Sequence, residues 1–357
     1  MMNSEIYKFD GGSFFVGANS GSGFVSFYDT VLEDVGIQKI YIIKGGPGTG
    51  KSRFMKDAEK MAHSLSLSVE RYYCSSDPDS LDALVIGGKY AILDGTAPHT
   101  VEAKCPGARE EIIDLGAFWD PDKLGESYDR IKELSRSKSE HYRRAYAYLG
   151  AANVIREINT CLISPVFLEK KAKGAVERIF SEIKTGGGHT KRVGMISSIG
   201  MKGRVRLDTY ERFADKLYIV DDFYGVGADY LALLIKKAEQ TDTPVTVSYD
   251  PIDVKRADAV FFPNDKKAFV IKKGCDDRSL ECVINMHRFV DGARLRTVRS
   301  EYRLNEKLCE ALLLSAEEKL RQAGKCHFAL EGIYTECMDF YSKEVFCNNF
   351  LNNLFYK

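Results

Sequence analysis

Residues 45–52 read Gly-Gly-Pro-Gly-Thr-Gly-Lys-Ser and follow directly on an apolar run at 39–44. That run is short and contains three isoleucines, as a buried parallel strand does. After the loop the period changes. Phe54, Met55, Ala58, Met61, Ala62 and Leu65 recur at the spacing of one helix face. Strand, glycine-rich turn and helix in this order leave few architectures open. Further apolar runs at 69–74, 83–86 and 90–93 extend the pattern. They predict an α/β fold with a parallel, doubly wound sheet.

The loop satisfies the spacing G-x-x-x-x-G-K-[ST] in the strand-to-helix context that gives it meaning. Gly45, Gly46, Gly48 and Gly50 permit backbone angles that let N–H groups converge on phosphate oxygens, with Pro47 and Thr49 between them. A helix opening at Lys51 adds unpaired N–H groups and the positive end of its dipole. Lys51 supplies a point charge for the β- and γ-phosphates, and Ser52 a hydroxyl ligand for Mg2+. The expected ligand is a nucleoside triphosphate, ATP with Mg2+. Catalytic roles fall to Lys51 and Asp94, and metal roles to Ser52 and Asp94.

Asp94 ends the apolar run 90–93 and precedes Gly95, so it is either the carboxylate that holds the hydrated metal or a turn cap. Asp77 follows another strand and stands in an Asp-Pro pair, with the same two readings. His99 could sense the γ-phosphate or lie on the surface. Glu102, Glu110 and Glu111 are open as general base, and Arg109, Arg130, Arg143 and Arg144 as charge-stabilising arginines.

The chain repeats itself. Tyr41-Ile42-Ile43 matches Tyr218-Ile219-Val220 at an offset of 177, and Gly48 and Gly50 meet Gly225 and Gly227. The helix stripe recurs as Leu231, Ile235 and Ala238, and Asp82 pairs with Asp258 at an offset of 176. The predicted organisation is a nucleotide-binding unit with a helical extension over 1–182, a linker at 183–189 and a second, similar unit over 190–357. Residues 126–183 predict two or more helices broken near Ser164-Pro165. In the second unit Ala228 replaces Lys51 and Asp229 replaces Ser52, while Asp221 and Asp222 replace Lys44 and Gly45. The cation is gone and acids surround the place of the phosphates, so this copy reads as degenerate.

Fifty-one basic residues balance 51 acidic ones, which argues against a polyanionic partner. The interrupted basic stretch 132–144 is the one segment that keeps nucleic acid in view. Nine cysteines with no Cys-x-x-Cys pair predict reduced thiols, hence a cytoplasmic protein. No apolar run approaches the ~20 residues that span a bilayer, and the N-terminal residues lack the apolar core of a signal peptide.

Several segments together resemble an uncharacterised bacterial family of tandem P-loop ATPase-like proteins. They are residues 43–52, 74–82 and 93–99, Pro106-Gly107-Ala108, Phe118-Trp119-Asp120, and helical tails around 146–158 and 326–340. The resemblance implies two P-loop-type α/β domains with helical extensions, nucleotide binding and hydrolysis. Family members often keep a second working loop, which this sequence lacks. The leading expectation is an ATPase whose hydrolysis drives a conformational change. A small-molecule kinase and a nucleotide-gated scaffold with negligible hydrolysis are the alternatives, and a protein partner stays open.

Overall fold

The computed structural model describes residues 9–34, 36–97, 100–188, 190–274 and 282–356. His99 and linker residue 189 lie outside them. The first half runs β1 (Ser13–Phe15), β2 (Gly17–Ser20), β3 (Gly23–Ser26), α1 (Asp29–Leu32), β4 (Lys39–Lys44), α2 (Lys51–Ser64), β5 (Val69–Tyr73), β6 (Leu81–Ile86), β7 (Tyr90–Asp94), β8 (Glu110–Asp114), α3 (Pro121–Glu126), α4 (Tyr128–Ile163) and α5 (Glu169–Phe180). The second runs β9 (Lys191–Val193), β10 (Ser197–Gly200), β11 (Gly203–Arg206), α6 (Thr209–Phe213), β12 (Lys216–Asp221), α7 (Gly227–Gln240), β13 (Val245–Tyr249), β14 (Ala257–Phe262), β15 (Lys267–Lys272), β16 (Val283–Asn285), α8 (Gly292–Glu336) and α9 (Phe340–Tyr356).

Two six-stranded sheets form, ordered β1-β5-β6-β7-β4-β8 and β9-β13-β14-β15-β12-β16, each taken from the equivalent edge. The strand orders are equivalent under the repeat. Both sheets are mixed, which corrects the parallel, doubly wound expectation. β6 runs antiparallel to β5 and β7, and β14 to β13 and β15. The reason is local. Gly87 and Gly88 both take positive φ between Ile86 and Tyr90, and so short a turn can only join antiparallel neighbours.

The second departure is in the layering. Strand side chains alternate between two faces. Ile40, Ile42, Ala83, Val85, Ala91 and Leu93 form one core with Ala259, Phe261, Ala268 and Val270, so the two sheets pack face to face. The longer helices cover the outer faces, while the short α1 and α6 lend Val31 and Tyr210 to the core between the sheets. Tyr41, Ile43, Leu84 and Ile92 meet Phe54, Met55 and Ala58 of α2. Tyr218, Val260, Phe262 and Phe269 meet Tyr230, Leu231 and Leu234 of α7.

The tails are exchanged between the halves. Ala172, Ala175, Val176 and Phe180 of α5 join the outer core of the second sheet. Cys347 and Leu351 of α9 join that of the first. Long helices make the crossing. α4 and α8 lie antiparallel, with Asn305 Nδ2 donating to Asn159 Oδ1 at 2.9 Å and Trp119 packed on Tyr334. The pair rests on the β2–β3 and β10–β11 hairpins, where Tyr146 OH donates to Asn19 Oδ1 and Ile199 fills the seam. Among the described residues no helix is long and apolar enough to cross a membrane.

Candidate functional site

β4 delivers the chain to Gly45 at the carboxyl edge of the first sheet, and α2 leaves from Lys51. Gly48 (φ +74°) and Gly50 (φ +79°) adopt left-handed angles that side chains resist. Gly50 is the N-cap of α2, so the first N–H groups of that helix face the loop. Lys51 Nζ folds back to donate to the carbonyls of Gly45 and Gly46, at 2.8 and 2.9 Å. Buried Thr49 closes the loop with a hydroxyl bond to Gly46 O at 2.9 Å.

Three oxygen-bearing side chains gather beside the lysine. Parallel pairing of β4 with β7 sets Asp94 level with Ile43, and its Oδ2 stands 3.6 Å from Lys51 Nζ. Its Oδ1 accepts from the amide and hydroxyl of Thr96. Burial pushes the Asp94 carboxyl above the usual carboxylate range, and the Lys51 charge pulls it part of the way back. Ser52 Oγ accepts from Leu81 N at 3.0 Å, at the start of reversed strand β6. The next residue, Asp82, is a buried carboxylate whose charge acts on Asp94. Tyr28 OH donates to the backbone oxygens of Asp82 and Asp94, at 3.0 and 2.9 Å, and locks these two strand ends together.

This donor set is all hard oxygen and suits Mg2+. Among the described residues no group of three or more His, Cys, Asp or Glu side chains could hold a metal by itself. A metal at this site would have Ser52, Asp94 and Asp82 as the protein's share of its ligands.

The remaining walls come from distant sequence. The Trp119 ring lies 3.1 Å from where a Cβ on Gly46 would stand. Glu331 O and Thr335 Oγ1, near the end of α8, crowd Gly48 at 2.8 and 2.7 Å by the same measure. Lys343 Nζ, from α9, is 3.0 Å from the Cβ position of Gly50. Lys138 on α4 and His327 on α8 feel the Lys51 charge. Burial lowers both below their ordinary values, with Lys51 adding to it. Burial raises the Glu331 carboxyl, and the Asp77 charge raises it further.

Other residues singled out in the sequence are engaged in contacts of their own. Asp77 shapes its own turn, accepting from Asp79 N and Ser80 Oγ. Glu110 and Glu111 begin β8 and so lie at the opposite sheet edge. Glu102 is exposed and paired with Lys44 at 2.7 Å. Arg109 bonds the backbone oxygens of Asp34 and Ile37. Arg130 pairs with Glu133, and Arg143 and Arg144 share Glu140, on exposed helix surface. Asp82 appeared in the sequence only as a repeat marker. Lys138 is visible in the sequence only as part of the basic stretch 132–144, and His327, Glu331 and Lys343 carry no local signal.

The second copy satisfies itself. Asp222 accepts from Tyr224 N at 3.0 Å and Gly227 N at 2.8 Å. The amide equivalent to that of Gly50 thus already bonds a carboxylate of the chain. Asp229 pairs with Arg256 at 3.1 Å, and Arg256 also donates to Gly225 O. No family model, curated protein or solved structure matches the chain.

Proposed function

We propose that the first half binds a nucleoside triphosphate, ATP with Mg2+, and hydrolyses it, in a chain built as a tandem P-loop ATPase. One observation carries the reading. The loop 45–52 closes the N-terminus of α2 with Lys51 Nζ turned inward and Asp94 beside it at 3.6 Å. The loop amides and Lys51 would bind the phosphates, with Lys51 released from the Gly45 and Gly46 carbonyls to reach them. Mg2+ would neutralise charge between the phosphates, with Ser52, Asp94 and Asp82 as its protein side.

Hydrolysis requires water to attack the γ-phosphorus in line as the bond to the β-phosphate oxygen breaks. Glu331 is our candidate to orient that water and accept its proton. Its backbone oxygen lies at Gly48, which holds the residue at the loop, and burial raises its carboxyl above the ordinary range. The kinase reading draws no support from Arg143 and Arg144, which share Glu140 on an exposed helix face. A phosphate-release assay with Mg-ATP alone and with candidate acceptors tests the proposal. Release by wild type but not by Lys51→Ala is expected; acceptor-dependent turnover alone would return the kinase.

A further inference from the structure

The exchange of tails gives each loop a neighbour from the opposite half, and one difference between the two neighbours falls at the loop itself. Asp120 N donates to Cys337 O, as Asp291 N does to Val166 O. Asp339 N donates to Phe118 O, as Leu168 N does to Phe289 O. Lys343 N donates to Asp339 O, as Ala172 N does to Leu168 O. The equivalence is residue by residue, so Lys343 on α9 corresponds to Ala172 on α5. Lys51 likewise corresponds to Ala228. Lysine stands at both places around the intact loop, and alanine at both around the other.

Lys343 is only 5% exposed. Its Nζ is the atom nearest the Cβ position of Gly50, at 3.0 Å, so a side chain on Gly50 would displace it. Among the described residues this ammonium has no carboxylate partner and no hydrogen-bond acceptor. It lies over the ring of Phe340, 5.9 Å from the centroid. The stem is buried while the ammonium itself keeps access to solvent, so it is free to meet an anion at the loop. A second donor lies nearby: the Trp119 ring edge sits against Gly46, and its indole N–H is buried with no acceptor among the described residues. An unpartnered ammonium at the N-cap of α2, beside an unpartnered indole N–H, suits an anion at the loop.

We propose that Lys343 is a second phosphate-binding cation of this site, brought to the first half's loop by the tail of the second half. The inference rests on the reading of loop 45–52 as a triphosphate site. A magnesium-bound triphosphate keeps net negative charge, and a second ammonium beside Lys51 would match it. The duplication then has a use although its second loop is degenerate, because that half completes the first half's site.

The test is calorimetric titration of the full chain with Mg-ATP at several ionic strengths, for wild type, Lys343→Met, Lys343→Arg and Lys51→Ala. Thermal unfolding without nucleotide checks each fold. Methionine keeps an unbranched stem in the buried channel and removes the charge. Lys343→Met is expected to bind roughly tenfold more weakly, with a shallower salt dependence, because a cation has been lost. Lys343→Arg should stay within a few-fold of wild type. If Lys343→Met binds as wild type does, with the same salt dependence, while Lys51→Ala does not bind, Lys343 only packs its stem and the inference falls alone. If wild type does not bind Mg-ATP, the reading of the loop falls, and this inference with it.

Discussion

Arg192 of β9 donates to both carboxylate oxygens of Glu70 of β5, at 3.1 and 2.6 Å, and so ties the edge strand of the second sheet to the first. Both side chains are buried. Tyr72 OH accepts from Arg192 at 2.7 Å, and the guanidinium lies over the rings of Phe9 and Phe14. Removing one partner would leave the other charged and buried. Arg192→Ala is expected to destabilise the protein by about 3–5 kcal/mol, read as a lower urea midpoint. The pair-removing double variant Arg192→Met/Glu70→Leu should recover much of that loss. A single variant as stable as wild type would mean that water reaches Glu70.

Trp119 is the one tryptophan of the chain, and its ring packs against the loop at Gly46. Its fluorescence should therefore report ligand binding directly. Mg-ATP is expected to change wild-type emission saturably. Lys51→Ala should fold normally yet bind at least about a hundredfold more weakly, roughly 2.8 kcal/mol. An unchanged titration in a folded Lys51→Ala would remove the loop from the binding site.

Asp94→Asn should separate stability from function. Burial raises the folded-state pKa of Asp94 more than Lys51 lowers it. A carboxyl raised on folding adds stability below its unfolded pKa and loses it as pH rises through the folded value. At neutral pH the ionised group therefore weighs against folding. The asparagine variant should melt higher than wild type at pH 7–8 without nucleotide, with the gap closing as pH falls into the acid range. Its Mg2+-dependent turnover should drop at least about tenfold, or 1.4 kcal/mol. An asparagine variant that melts lower at neutral pH would show that the Lys51 pairing outweighs burial.

One triphosphate per chain is expected. In the second copy Asp222 already occupies the Gly227 amide, Asp229 stands where Ser52 would, and Ala228 offers no charge. Two unit charges about 4 Å apart repel by on the order of 4 kcal/mol at an intermediate dielectric. Ala228→Lys should therefore leave the stoichiometry at one, and Ala228→Lys in a Lys51→Ala background should bind nothing. Equilibrium titration that returned two sites in wild type would overturn this reading of the second half.

The parts of this protein legible in its sequence are those decided over short distances. The 45–52 loop, the strand before it and the helix after it follow from neighbouring residues, because their hydrogen bonds and backbone angles close within a few positions. Asp94 was legible for the same reason, as the acid at the end of an apolar run. The duplication was legible because it is a property of the string itself. The reversed direction of β6 is signalled only by Gly87-Gly88, because apolar runs alone do not give strand direction. Tertiary structure decided the rest. Both sheets have two apolar faces and both tails are amphipathic, so no local pattern states which tail covers which sheet. That choice follows from the length and antiparallel packing of α4 and α8. It sets Glu331 and Lys343 around a loop encoded far upstream, where only the folded chain could bring them.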